Sequence, residues 1–296
     1  MAASTLNRDL RRRLVAGAGL LVPGAPNALT ARIIEAAGFA AVYVTGAGLA
    51  NSYLGAPDLG LTTVTEVADH VAAIREAVSV PVIVDADTGF GNALNMGRTV
   101  RLLERAGANA IQIEDQVFPK RCGHFDGKEV IPTPEMVGKI KAAVDARNDS
   151  DLMIIARTDG RAVEGFDAAL ARAGAYAEAG ADALFVEAPQ SFDELRRIPQ
   201  AVPGIHIANM VFGGKTPLLP REELASIGFA GILYANAALQ AAMLAMKDVM
   251  AHLNAHGSLS GAEDRLISFA ERQQLVDFDR FKALEQRYRD EADDGP

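Results

Sequence analysis

Positions 120–124 read Lys120-Arg121-Cys122-Gly123-His124, and Cys122 is the sole cysteine of the 296-residue chain. A solitary thiol has no disulfide partner within its own chain. Cationic neighbours favour thiolate over thiol, so this setting suits a nucleophilic or proton-transferring sulfur better than an inert filler. Pro119 and Gly123 mark the stretch as a loop. A second concentration of chemistry is Asp85-Ala86-Asp87, which closes an aliphatic run. If that run is a strand, side chains two apart point the same way, and the two carboxylates converge where neither is tolerated without a cation or donors. Hard oxygen ligands of this kind suit Mg²⁺. Glu114 with Asp115, Arg157, Glu187 and Asn209 end other aliphatic runs. Arg157 is the kind of donor that grips a carboxylate through two parallel hydrogen bonds. Acids near a cation, a guanidinium and a basic loop describe a site for a small, multiply charged anion. Asp115 and Asp159 serve equally well as a buried network that orients the others, and His124 reads as a proton carrier, an anion donor or a packing residue.

Such residues need a frame that brings them together. Runs nearly continuous in Val, Ile, Leu and Ala fall at 20–22, 41–45, 81–85, 110–114, 152–157, 183–187, 205–209 and 231–234, as expected of strands covered on both faces. Helix signals lie between them. Thr133-Pro134-Glu135 predicts an N-cap, a first-turn proline and an early acid, and Gly165-Phe166-Asp167 opens a helix that stops at Gly180. Eight such alternations predict an α/β fold, a (β/α)8 TIM barrel, with an open doubly wound sheet as the alternative. The barrel is favoured because no Gly-x-Gly-x-x-Gly loop follows an early strand. In a barrel the chemistry lies at the carboxyl ends of the strands, where the polar residues named above collect. The connection 116–131 is too long for an ordinary turn and can fold over a ligand. Beyond Gly257 the pattern changes to two helical stretches without a strand. We therefore expect a catalytic barrel at 1–257 and a helical extension at 258–296 that packs on the barrel or on a neighbouring subunit.

Bulk properties narrow the partners. A formal net charge of −9 and a pI near 5.1 argue against a general nucleic-acid or anionic-membrane binder. No stretch offers the roughly twenty uninterrupted apolar residues of a membrane helix, and the first residues lack a secretory pattern. With a single cysteine, the expectation is a cytoplasmic protein in a reducing compartment.

In this order the residues resemble the isocitrate lyase/phosphoenolpyruvate mutase superfamily. The resemblance spans about 15–255 and rests on Gly55-Ala56-Pro57-Asp58-Leu59-Gly60, Val84-Asp85-Ala86-Asp87-Thr88-Gly89-Phe90-Gly91, Ile113-Glu114-Asp115-Gln116, Lys120 to His124, Ala156-Arg157-Thr158-Asp159, Val186-Glu187-Ala188 and Ala208-Asn209-Met210. The Lys-Arg-Cys-Gly-His loop is the mark of the carbon–carbon lyase branch, which includes methylisocitrate and dialkylmalate lyases and oxaloacetate hydrolase. The resemblance implies a Mg²⁺ ion, with Mn²⁺ as a substitute, held directly or through water by Asp85 and Asp87 with Asp58 and Glu114 around it. It implies that Thr45, Gly46 and Ala47 donate to a 2-oxo acid, that Tyr43 lines the pocket, and that Arg157 binds the carboxylate with Glu187, Asn209 and the closed loop, Gly123 included. Cys122 would be the general acid, with Lys120 and His124 beside it in the catalytic set. The implied reaction is retro-aldol cleavage of a 2-hydroxy di- or tricarboxylate. The implied assembly is a helix-swapped homotetramer, a dimer of dimers.

Three positions depart from the nearest lyases. Thr45-Gly46-Ala47 replaces Ser-Gly-Gly or Ser-Gly-Tyr, Phe212 stands where a glutamate is usual, and Ala235 where methylisocitrate lyases tend to carry proline and oxaloacetate-hydrolysing relatives serine. Phe212 and Ala235 are expected to make the pocket more apolar, which favours a malate bearing alkyl substituents, then methylisocitrate. Rivals are oxaloacetate hydrolysis or decarboxylation, phosphorus–carbon chemistry of the carboxyphosphonoenolpyruvate mutase type and, last, a non-catalytic dicarboxylate binder.

Overall fold

The computed structural model describes residues 3–123, 125 and 127–293. His124 lies outside the described residues. Eight strands, β1 (Leu20–Ala25), β2 (Val42–Val44), β3 (Val82–Asp85), β4 (Ala110–Glu114), β5 (Met153–Thr158), β6 (Ala183–Val186), β7 (Ile207–Asn209) and β8 (Gly231–Tyr234), pair in the order β6-β5-β4-β3-β2-β1-β8-β7. Every ladder is parallel. A parallel bridge between Leu184 and His206 joins the two ends, so the sheet closes into the (β/α)8 barrel expected from the alternation of runs.

Two apolar layers hold it. Between sheet and helices lie Val42, Val44, Val82, Val84, Ile111, Ile113, Ile154, Leu184 and Ile232. Inside the barrel lie Val22, Tyr43, Ile83, Met153, Ile155, Phe185, Ile207 and Leu233, each large side chain contributing about 1.5–3 kcal/mol by leaving water. The helix Ala3–Arg13 closes the inner layer from below with Leu10, and Leu14 follows it. Arg11 of this helix pairs with Asp182 at 2.7 Å.

The period of two within each strand then places the site. One step of two beyond the inward-facing Ile83, Ile155, Phe185, Ile207 and Leu233 come Asp85, Arg157, Glu187, Asn209 and Ala235. The strands thus run from an apolar floor to a polar mouth. Helices set the strand ends through their caps. The helix Val64–Ala77 starts with a Thr63/Glu66 capping box, and Ala93–Ala106, which follows the Asp85–Asp87 turn, with an Asn92/Asn95 one. The helix at 133 differs from its predicted start. Thr133 is its first residue, and Pro132 occupies the cap without a side-chain hydrogen bond. The helix Phe166–Glu178 stops just before Gly180, as expected.

The chain divides into two compact units, Met1–Leu239 and Gln240–Pro296. The division falls inside the helix Ala237–His256 rather than at Gly257. The second unit carries most of that helix together with Phe269–Leu275 and Phe278–Asp293. Among the described residues no helix is long and apolar enough to cross a membrane.

Candidate active site

A cavity at the carboxyl end of the barrel is lined by Tyr43, Thr45, Ala47, Asp58, Asp85, Glu114, Lys120, Cys122, Gly123, Arg157, Glu187, Asn209 and Ala235. These were singled out from sequence, whereas Arg121, Phe185, Val211, Leu233 and Asn236, which also line it, were not, and the expected Gly46, Asp87 and Phe212 are not among the lining residues.

Asp85 and Asp87 do come together, but strand alternation is not the reason. β3 ends at Asp85, and Asp87 lies beyond it with a left-handed backbone, φ 47°. That conformation is costly for a residue with a Cβ and is often found at functional sites. The turn is fixed by Asp87 N–H donating to Asp85 Oδ1 at 3.1 Å. Asp85 Oδ2 and Asp87 Oδ1 both lie above Gly46, where an added Cβ would meet them at 3.0 and 3.1 Å. Gly46 N–H points at Asp85 Oδ2 over 3.3 Å. Thr45 caps the short helix Gly46–Leu49 and donates to Asn236 Oδ1 at 3.2 Å.

The connection after β4 lies down over this end of the barrel. Its base is zipped by a Gln116–Val130 bridge and by Ile131 N–H on the Asp115 carbonyl at 2.8 Å. Its described tip is held by Cys122 N–H on the Asp58 carbonyl at 3.3 Å and by Gln116, which donates to Arg121 O at 2.8 Å and accepts from Arg121 N–H at 2.9 Å. Lys120 is buried, paired with Asp58 and, at 2.8 Å, with Asp87 Oδ1. Gly123 is stacked so closely that a Cβ there would lie 2.3 Å from Arg157 Nη2 and 2.7 Å from Glu187 Cγ and Cδ.

Arg157 differs from the expectation in how its fork is used. Nε and Nη2 donate to Asp159 at 2.9 and 3.1 Å, so the two-pronged grip goes to a neighbour rather than to the cavity. Nη1 lies 3.2 Å from Glu187 Oε2, Nε lies 3.2 Å from Glu114 Oε2, and the guanidinium covers Phe185. Asp115 takes the orienting alternative. It is fully buried and accepts from Thr158 and Tyr176 at 2.7 Å each and from Asp159 N–H at 2.8 Å, with Arg172 at 3.3 Å. It does not line the cavity.

The electrostatics show an excess of negative charge. Asp58, Asp85, Asp87, Glu114, Asp159 and Glu187 surround the buried cations Lys120, Lys128 and Arg157. Burial, only partly offset by Lys120, pushes the Asp87 carboxyl up to about 6. Burial likewise pushes Glu114 well above the carboxylate range against the pull of Arg157. Burial would raise Asp159 too, but Arg157 and Lys128 outweigh it and hold it near 2. For Lys120, burial works against the charge and Asp87, Glu114 and Asp58 overcome it. Glu114 Oε1 and Asn209 Oδ1 are buried without a hydrogen-bond donor among the described residues. Converging carboxylate oxygens, an undonated buried oxygen and surplus negative charge fit a hard divalent cation that keeps water in much of its shell. In the structure as it stands, the Lys120 ammonium occupies part of that acidic ground. No group of three or more candidate ligands closes on one point among the described residues.

Phe212 is not in the wall where sequence put it. It is 78 % exposed, and the apolar lining comes from Val211, Leu233 and Phe185 with Ala235. Sequence reasoning also passed over Gln112, which accepts from Tyr43 Oη at 3.1 Å, and Lys128, whose ammonium reaches Asp159 at 2.7 Å. Gln112 was findable as the inward position two before Glu114. Nothing in a loop sequence marks Lys128 as buried.

The sequence profile of the phosphoenolpyruvate phosphomutase family matches residues 10–254. The chain is 48% identical over 269 residues to 2,3-dimethylmalate lyase of Eubacterium barkeri, covering 91% of this chain and 93% of the relative. It is 44% identical over 281 residues to the chloroplastic carboxyvinyl-carboxyphosphonate phosphorylmutase of Arabidopsis thaliana, covering 93% and 83%. Among solved structures, a trigonal crystal form of 2,3-dimethylmalate lyase superposes with a TM-score of 0.90 at 35% identity, over 97% of this chain and 96% of that one. A phosphonopyruvate hydrolase complexed with oxalate and Mg²⁺ superposes with a TM-score of 0.86 at 33% identity, over 97% and 99%.

Proposed function

The chain belongs to the phosphoenolpyruvate phosphomutase family, within the isocitrate lyase/phosphoenolpyruvate mutase superfamily, and from that premise we propose that it is a Mg²⁺-dependent lyase. It cleaves a carbon–carbon bond of a 2-hydroxy di- or tricarboxylate of the alkylmalate or methylisocitrate type. The products are a 2-oxo acid and a second carboxylate. The observation that carries this reading is one arrangement. Carboxylates with surplus charge sit over Gly46, the Arg157–Glu187 pair stands across the cavity, and the single thiol lies on the loop between them. The kinship with 2,3-dimethylmalate lyase favours carbon–carbon cleavage.

Asp85 and Asp87 would hold the cation, directly or through water, with Asp58 and Glu114 around them. When bound, the cation would supply Lewis acidity toward the substrate hydroxyl. The backbone of Gly46 and Ala47 and the Thr45 hydroxyl orient the 2-oxo acid half, beside Tyr43. Arg157, steadied by Asp159 and Glu187, draws the departing carboxylate, and Asn209 lies beside it. Transfer of the hydroxyl proton to one of the carboxylates lining the cavity lets the bond to the neighbouring carbon break: the oxygen's electron pair forms the new carbonyl, and the pair of the broken bond stays on the departing carbon next to its carboxylate. Cys122 then delivers its thiol proton to that carbanion. Lys120 and His124 complete the catalytic set. For this role the sulfur must be protonated when the bond breaks, so the basic neighbours act on substrate carboxylates more than on the thiol. Val211, Leu233, Phe185 and Ala235 give an alkyl substituent an apolar surface. We further propose a homotetramer in which apolar side chains exposed on the helix Ala237–His256, such as Met243 and Leu244, are covered by neighbouring subunits.

The test is incubation with Mg²⁺ and a panel of 2,3-dialkylmalates, methylisocitrate, isocitrate and oxaloacetate, with 2-oxo acid release measured. Release from an alkylmalate or methylisocitrate supports the reading. Oxalate with acetate from oxaloacetate would replace it with hydrolysis, and pyruvate from oxaloacetate with decarboxylation. The relationship to the Arabidopsis phosphorylmutase makes phosphorus–carbon chemistry the second reading, supported if no carbon substrate turns over.

A further inference from the structure

Two lysines of the 116–131 connection reach into the barrel mouth from opposite arms of the loop. Lys120 goes to Asp58 and Asp87 on the metal side. Lys128 goes to the other side, where its ammonium donates to Asp159 Oδ1 at 2.7 Å and to the Gly123 carbonyl. Its side chain is 1% exposed and that of Asp159 is fully buried. Asp159 Oδ1 also accepts from Arg157 Nη2, and Oδ2 from Arg157 Nε. One carboxylate therefore joins a lysine of the loop to the arginine of the barrel wall. The carbonyl that Lys128 grips belongs to the residue stacked on Arg157 and Glu187, next to Cys122.

We propose that Lys128 is a positioning residue that latches the loop shut and readies Arg157 for the substrate carboxylate. Without it Arg157 faces Asp159, Glu114 and Glu187 alone, and that cluster has little attraction left for an incoming anion. Lys128 is the second cation of the cluster, and it is carried there by the loop that lies over the cavity. A buried ammonium gives up its water, so both of its acceptors must be in place to hold it. Loop closure and anion binding are thereby linked, and by reciprocity a bound anion favours the closed loop. The role in binding a substrate carboxylate rests on the lyase reading, whereas the latch itself does not need turnover.

Cys122, the only thiol, reports the loop position through its alkylation rate with iodoacetamide. The measurement is made on the full-length protein alone and with Mg²⁺ plus oxalate, beside kcat and KM on the best substrate of the panel. Lys128→Met is expected to raise the ligand-free alkylation rate at least ~10-fold, since removing one partner of a buried pair is far costlier than tenfold in an equilibrium constant. It should also weaken protection by oxalate and raise KM more than it lowers kcat. Lys128→Arg should restore both readouts toward wild type. Lys128→Gln keeps donors for both acceptors without the charge. It should fold where Lys128→Met does not, holding the loop better than Met while still raising KM. Wild-type alkylation and oxalate protection in both Lys128→Met and Lys128→Gln would overturn the proposal. Alkylation that responds as expected in a protein that cleaves nothing would support the latch and remove only the lyase reading.

Discussion

Gly123→Ala adds one methyl group where the loop meets the barrel wall. Gly123 does not have a positive φ, so backbone strain is not the issue. The added carbon would stand 2.3 Å from Arg157 Nη2 and 2.7 Å from Glu187 Cγ and Cδ, against ordinary contacts of about 3.5–4.0 Å. Either two buried, ion-paired side chains retreat by about 1 Å or the loop lifts by a similar distance. Overpacking of this kind costs about 1–3 kcal/mol. At 1.36 kcal/mol per tenfold, that depletes the closed state, and with it kcat/KM, by about 5- to 150-fold. The assay is steady-state release of 2-oxo acid with saturating Mg²⁺, paired with a thermal melt. A lifted loop relieves the clash, so Tm should move by no more than a few degrees. Wild-type kcat/KM in Gly123→Ala would refute the contact that places Cys122 over the cavity.

Cys122→Ser should lower turnover by at least ~100-fold, as expected for loss of a general acid, while Mg²⁺-dependent oxalate binding persists by calorimetry. Wild-type turnover would take the proton-donor role from Cys122. Asp87→Asn should remove metal-dependent activity, and in the metal-free protein its Tm should gain on that of wild type as pH rises from about 4 to 7.5. The reason is that burial holds the Asp87 carboxyl at about 6 rather than 3.8. The ionised form is disfavoured in the fold, the deficit is complete above about 6, and it fades as pH falls toward 3.8. A Tm difference that does not move toward the Asn variant over that range would contradict this. Asp159 has the opposite sign. Its folded value of about 2 lies below 3.8, so its contribution is present above 3.8 and is lost as pH falls through about 2. The Tm gap between wild type and Asp159→Asn should therefore shrink between pH 5 and pH 2. A gap that stays constant over that range would show that the ionised carboxylate is not what holds the cluster.

The barrel was legible because parallel strands buried on both faces leave aliphatic runs that interrupt alanine-rich helices. The site was legible because inward positions repeat every second residue, which carries the eye from Ile83 to Asp85 and from Phe185 to Glu187. What escaped depends on backbone turns and on reach. Asp87 joins Asp85 through a left-handed turn that a pattern of strand residues does not encode. Arg157 turns its fork to Asp159 because three carboxylates compete for it. Phe212 sits one residue past Val211, and that single step decides which side chain faces the cavity and which faces water. Lys128 lies four positions beyond the basic motif, and only the folded loop shows its long side chain buried against Asp159.

The most direct measurement is a crystal structure of the protein grown with Mg²⁺ and oxalate. The account predicts a cation on the Asp85 and Asp87 carboxylates, Lys120 drawn off Asp87, and oxalate between the cation and Arg157 beneath Cys122. Oxalate bound with no cation at those carboxylates, or an empty cavity with Lys120 still joined to Asp58 and Asp87, would contradict it.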